Sequence, residues 1–337
     1  MTVPDIRLPA RSNRPAPGED IIQLSRELRL NRILVPLDGS PSAEQSLAYA
    51  SMIARWVNGE ITLFHTLQPM HPVRVGQPGH LPYPDAQHDR GAHLAMSYLE
   101  EVAARMRPHG ISARWSVATG ETSHIVSSRA VTGGFGMTVV AGHPRTRVVR
   151  RIQPGVVDGL WKHTAVPLML VNRARGLLNG APATEPETLF VPLFGQKPTE
   201  AALPLVRLLA MSSGARVVLI DNGQKARRKL ETPPSKAGHP SPAGIAQELS
   251  EAGCTVEIEQ TLDGDIAVAR RQVQDRASWV IVGSYMRGGV ARALRGSRGD
   301  HLVRHCRGPI VVVPTAEIAK QRGRKAREES LLPESAS

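Results

Sequence analysis

Short β-branched apolar runs alternate along the chain with longer stretches whose apolar residues recur at helical spacing. "RILVPLDGSPSAEQSLAYASMIARWVNGEITLFHTL" (Arg32 to Leu67) returns as "TLFVPLFGQKPTEAALPLVRLLAMSSGARVVLIDNG" (Thr188 to Gly223). Each copy predicts a strand ending in VPL, a glycine turn, an amphipathic helix and a second strand. The correspondence continues downstream. "GISARWSVATGETSHIV" answers "GCTVEIEQTLDGDIAVA", "MTVVAGHP" answers "WVIVGSYM", and "HTAVPLMLVN" answers "HCRGPIVVVP". The offset falls from 156 positions at Val35 and Val191 to 141 at Gly142 and Gly283.

This alternation predicts an α/β protein of two tandem doubly wound, mostly parallel five-stranded sheets with helices on both faces. The terminal runs "VPLMLV" and "PIVVVP" are apolar on both faces, as central parallel strands are. Punctuation by proline, glycine and charge sets the expected boundaries. They are a flexible extension over 1–30, a first domain over 31–173, a linker over 174–187, a second domain over 188–316 and a basic flexible tail over 317–337. The proline-rich segments Gln68 to Arg90 and Asn222 to Ala243 read as mobile crossovers. Truncation after Pro314 is expected to leave the fold intact, because the tail lacks a hydrophobic period.

Composition narrows the function classes. Hydrophobic residues make up 41% and charged residues 21% of the 337 positions, values typical of globular chains, and aromatics only 4%, so the core is expected to be aliphatic. No run approaches the about 18 apolar residues of a membrane span, and the first 30 positions lack an apolar signal core, which predicts a cytoplasmic protein with no membrane partner. The net charge of +12 would attract polyanions. No aromatic cluster of the RNA-binding kind and no zinc-finger spacing accompanies it, so nucleic acid is not expected as a partner. Cys254 and Cys306 form no CxxC pair and read as reduced buried thiols.

In doubly wound sheets ligands bind at the carboxyl ends of strands, where the strand order reverses. The turns after VPL, VVAG and VIVG are therefore the places to search. A first strand ending V-P-x-D-G-S, followed by a penultimate strand running into G-x2-G-x9-G-[S/T], resembles the universal stress protein family in its tandem form. The resemblance covers about Arg32 to Val171 and Thr188 to Pro314. It implies a stress-response regulatory protein, not an enzyme, with an internal pseudo-dimer in which "VPLMLV" meets "PIVVVP". It also implies ATP or another adenine nucleotide as ligand, with Asp38 on the adenosine and the glycine loop around ribose and phosphates.

Each half keeps one part of that pattern. The first has Asp38, Gly142 and Gly155, but Arg145 stands at the second glycine and Val156 at the closing hydroxyl. The second has Gly283, Gly296 and Ser297, but Met286 stands at the second glycine and Phe194 in place of the Asp. Binding is thus expected to be weakened or confined to one half. If the 286 position requires positive φ, Met should cost about 1–2 kcal/mol there and crowd the turn.

Other readings stay open at this level. Asp38 can stabilise the turn with Gly39 and Ser40, and Ser297 with Asp300 can cap a helix. Arg145, Arg147, Arg150 and Arg151, like Arg287, Arg292, Arg295 and Arg298, can face phosphate or solvent. His163 and His305, each four residues before a proline, can be helix-end histidines or bases. No nucleophile with a paired base, metal-ligand spacing or GxxxxGK[ST] loop is present. The alternative function is a scaffold that binds no nucleotide and acts through protein partners or a homodimer.

Overall fold

The computed structural model describes residues 16–69, 84–142, 156–171, 183–221, 241–261, 264–275, 277–286 and, apart from 304 and 307, 302–331. A helix α1 (Glu19–Glu27) precedes the first half, which runs β1 (Arg32–Pro36), α2 (Pro41–Val57), β2 (Glu60–Leu67), α3 (Pro84–Met106), β3 (Ser112–Thr119), α4 (Thr122–Thr132), β4 (Met137–Ala141), α5 (Val156–His163) and β5 (Leu168–Val171). The second half runs β6 (Thr188–Pro192), α6 (Gln196–Ser213), β7 (Arg216–Asp221), α7 (Pro242–Glu251), β8 (Val256–Gln260), α8 (Gly264–Gln274), β9 (Ser278–Ser284) and β10 (Ile310–Pro314). A last helix, α9 (Ala316–Leu331), follows.

Local chemistry explains why elements start and stop where they do. Ser40 caps α2 by accepting the Ala43 amide at 3.1 Å, with Pro41 in the first turn. The helix ends at Asn58 in the left-handed region at φ 49°. In the strands, alternate residues enter opposite layers. Ile33, Val35, Ile61, Val139, Val191 and Ile281 join one core with α2, α3, α6 and α7. Leu34, Phe64, Val140, Phe190 and Val282 join the other with α4 and α5.

Within each half the strands are parallel, in the order β3-β2-β1-β4-β5 and β8-β7-β6-β9-β10. The two five-stranded units expected from the repeat are present. They are not separate sheets, however. β5 and β10 pair antiparallel, with Met169 opposite Val311, and close a single ten-stranded sheet. Both strands are fully buried and apolar, so neither can stand as a solvated edge, and each completes the other's backbone hydrogen bonds. The anticipated contact between the terminal strands is what merges the sheets. Trp279 of β9 reinforces the join, with its ring 5.9 Å from Tyr49 and 5.6 Å from Trp56, both on α2 of the first half.

Both expected extensions need correction. Residues 19–27 form α1, whose Ile21 and Leu24 pack on the core beside α2 and α6. The supposed tail is α9, which lies along α4 of the first half and buries Ala326. Its sequence lacks a strong apolar stripe, and a hydrogen-bonding side chain anchors it instead. The two crossovers lie mainly outside the described residues, although Pro84 to Arg90 is already helical in α3.

Trp279→Ala is expected to cost about 3–5 kcal/mol by urea unfolding, because it empties a buried aromatic site that both halves share. Far-UV circular dichroism of the native variant should remain that of the wild type.

Candidate functional site

The strand order reverses between β1 and β4 in the first half and between β6 and β9 in the second. The carboxyl ends of these strands are therefore the two candidate crevices.

In the first crevice β1 leads into Leu37 and Asp38. Asp38 is exposed, and its Oδ1 accepts the Ser40 amide at 2.9 Å, while Gly39 turns the chain at φ 80°. The turn-stabilising role is thus realised, and the carboxylate stays at the crevice rim. Neighbouring strand ends add polar groups that the sequence reading passed over. His65 Nδ1 lies 2.8 Å from the Leu37 carbonyl oxygen, Thr66 Oγ1 lies 2.8 Å from Thr122 Oγ1, and Gln68 Nε2 donates to that same hydroxyl at 3.2 Å. Their only sequence signal was their position, at the end of a strand and just after a glycine. Gly142 directly follows β4, and among the described residues the nearest atom to a Cβ placed on it is Val157 Cγ2 at 3.3 Å. Gly155 and the arginines at 145, 147, 150 and 151 lie outside the described residues.

The second crevice differs at the matching glycine. A Cβ on Gly283 would sit 1.7 Å from the Pro198 carbonyl oxygen, because the first turn of α6 comes down onto the end of β9. Glycine at 283 is therefore demanded by packing, whatever else passes nearby. Phe194, in the Asp38 position, packs partly buried against the core. Met286 has the positive φ that the glycine pattern implies, at 41°, which costs a non-glycine residue about 1–2 kcal/mol. Its side chain does not crowd the mouth as expected but turns into the core, 1% exposed. The Met286 amide donates to Ser284 Oγ at 3.0 Å, which supports the turn. Gly296, Ser297 and the arginines at 287, 292, 295 and 298 lie outside the described residues.

A titratable cluster stands beside the first crevice. Glu121 caps α4, accepting from Ser123 Oγ and from the amides of Ser123 and His124. Burial pushes its carboxyl up, but these hydrogen bonds outweigh burial and hold it below the usual value. His163 ends α5 and meets the His124 ring edge-on at 5.5 Å, and His124 Nε2 lies 3.0 Å from Glu329 Oε2 of α9. Burial, followed by the neighbouring His124, pushes the His163 imidazole below its ordinary value. His163 is a helix-end histidine, while His305 is exposed. Both thiols are buried, and burial raises them, Cys306 to about 12, so neither is primed for reaction.

A polar depression of about 540 Å³ lies at the opposite ends of β1–β3, lined by Arg32, Arg55, Glu60 and His109. It is remote from the switch point. Among the described residues no three His, Cys, Asp or Glu side chains are grouped to hold a metal, and no helix is long and apolar enough to cross a membrane.

The fold and its paired crevices define a tandem, doubly wound α/β protein. Residues 29–172 match the universal stress protein family, and the second half repeats the same fold behind them. A universal stress protein of Mycobacterium tuberculosis is 35% identical over 71 residues, which is 21% of this chain and 22% of that relative. This chain therefore matches about a fifth of that relative's length. The solved universal stress protein of Archaeoglobus fulgidus shares the fold at a TM-score of 0.61 and 16% identity, covering 84% of this chain and 96% of its own. A protein of unknown function from Pseudomonas aeruginosa aligns at a TM-score of 0.57 and 13% identity, over 90% of this chain and 99% of its own.

Gly283→Ala should lower the melting temperature by several degrees, an overpacking cost of about 1–3 kcal/mol, while Gly142→Ala should shift it by much less. Stability should also fall with acid. A histidine depressed in the folded state binds protons more tightly when unfolded, so stability drops as pH falls below about 6.5. His163→Gln should flatten that segment of a melting-temperature profile between pH 8 and pH 5.

Proposed function

We propose that this chain is a stress-response regulatory protein that binds one adenine nucleotide, ATP or a relative of it, in the crevice of its first half. It acts as a binding module and not as an enzyme. One contrast carries the reading. The first half combines the exposed carboxylate of Asp38 with a glycine at 142 whose nearest described neighbour is the tip of the Val157 side chain, whereas the second combines Phe194 with a glycine pressed against the Pro198 backbone.

The physical requirements agree with that asymmetry. A sugar hydroxyl needs an acceptor at the strand end, which Asp38 offers and Phe194 cannot. Phosphates need backbone N–H groups at close approach, hence space beside the glycine. The polar ends of β2 and α4, from Thr66 through Gln68 and Thr122, supply donors and acceptors for a base edge on the same side.

The scaffold reading, in which a protein partner or a second copy of the chain is the ligand, keeps one observation in its favour. The second crevice is closed by its own helix and serves shape better than ligand binding.

Titration calorimetry of the full chain with ATP, AMP and cyclic AMP decides between them. One site per chain is expected. Asp38→Ala should weaken it at least about tenfold, the scale of a lost charge-assisted hydrogen bond, and Phe194→Asp should leave it unchanged. Absence of heat with all three nucleotides would leave the scaffold reading standing.

A further inference from the structure

α9 crosses from the second half to the first, and Arg322 is its anchor. The guanidinium Nη1 donates to the carbonyl oxygens of Trp161 at 3.1 Å and Thr164 at 2.9 Å, and Nη2 donates to the Met286 carbonyl at 2.7 Å. Met286 Sδ lies 3.9 Å from Nη1. The first two acceptors belong to the last turn of α5 and the residue just after it, where helical carbonyls lack intrahelical partners and the dipole favours a cation. The third belongs to the left-handed residue at the mouth of the second glycine segment.

These two places have a common feature. α5 begins at Val156, directly after Gly155, so it is the helix that leaves the first glycine segment. Met286 stands three residues after Gly283, so it is the turn that enters the second. One side chain therefore bridges the far end of the helix that follows one segment and the turn that enters the other. Burial draws the guanidinium down to about 10, still well above neutrality, so it remains a cation with full donor strength. Removing it would leave three carbonyls without their donor and release Met286 from an unfavourable backbone conformation.

We propose that Arg322 is a coupling residue that ties the end of α5 to the Met286 turn, so that movement of α5 in the first half is felt at Met286 in the second. α9 is then the connecting element, tethered a second time through the His124–Glu329 contact. The consequence for ligand response rests on the reading of the first crevice as a nucleotide site, but the mechanical link does not.

Hydrogen exchange of the full chain without nucleotide tests the link alone. Arg322→Ala should accelerate exchange at least tenfold in two separated segments, 160–166 and 284–286, with β1–β3 and β6–β8 unchanged. Arg322→Lys, which keeps the charge but not the fork, should give a smaller change in the same two segments and serves if the alanine variant does not fold. Adding Met286→Gly to Arg322→Ala should reduce the effect at 284–286, since glycine holds that conformation without help. Acceleration confined to 316–331, or spread evenly over the chain, would overturn the proposal. With ATP present, wild type should show slowed exchange at 284–286 and Arg322→Ala should not. If ATP binds but this difference is absent, the coupling fails. If ATP does not bind, the functional reading fails while the first result still stands.

Discussion

The antiparallel pairing of β5 with β10 is the constraint on which the rest of the molecule depends. Each half ends in a short strand whose residues are apolar on both faces, and such a strand cannot remain a sheet edge without exposing apolar surface and unpaired amides together. Pairing the two resolves both problems at once. It also fixes the halves about a local twofold, which brings α2 of one half over Trp279 of the other and places α9, leaving β10, on the α4–α5 face of the first half.

That arrangement shows why a repeated motif is not a repeated function. Gly142 and Gly283 occupy the same position in sequence, but different neighbours require them. At 283 the carbonyl of Pro198 leaves no room for a Cβ, so the glycine satisfies helix-to-strand packing. At 142 the nearest obstacle is the movable end of a valine side chain. The same substitution would meet backbone in one half and flexible side chain in the other. Spacing alone cannot distinguish a glycine kept for a ligand from one kept for a neighbour.

The strands and the tandem organisation were legible in the sequence because they rest on local periodicity repeated twice, while the terminal-strand contact was implied by the family resemblance. Asp38 was legible as a turn residue because an Asx turn is a local event, completed within two positions. The Thr66–Thr122 pair was not, since 56 positions separate partners that meet only when β2 and α4 come together. The merger into one sheet is the direct consequence of the terminal-strand contact. Two edges that pair become one interior. α9 was not legible because its charged sequence carries little apolar periodicity, and its anchor is one arginine whose acceptors lie far away in the chain.

α9 is held differently from α2 and α6. α2 and α6 are fastened by rows of buried aliphatic side chains, a non-directional attachment that tolerates small shifts. α9 depends on Arg322, whose hydrogen bonds to three carbonyls are directional and fail if the acceptors move by an ångström or so. An element fastened in this way reports on the geometry of what it touches. Because its acceptors come from both halves, the Arg322 fork is complete only when α5 and the Met286 turn hold their relative positions, which is the physical basis of the coupling proposed for it.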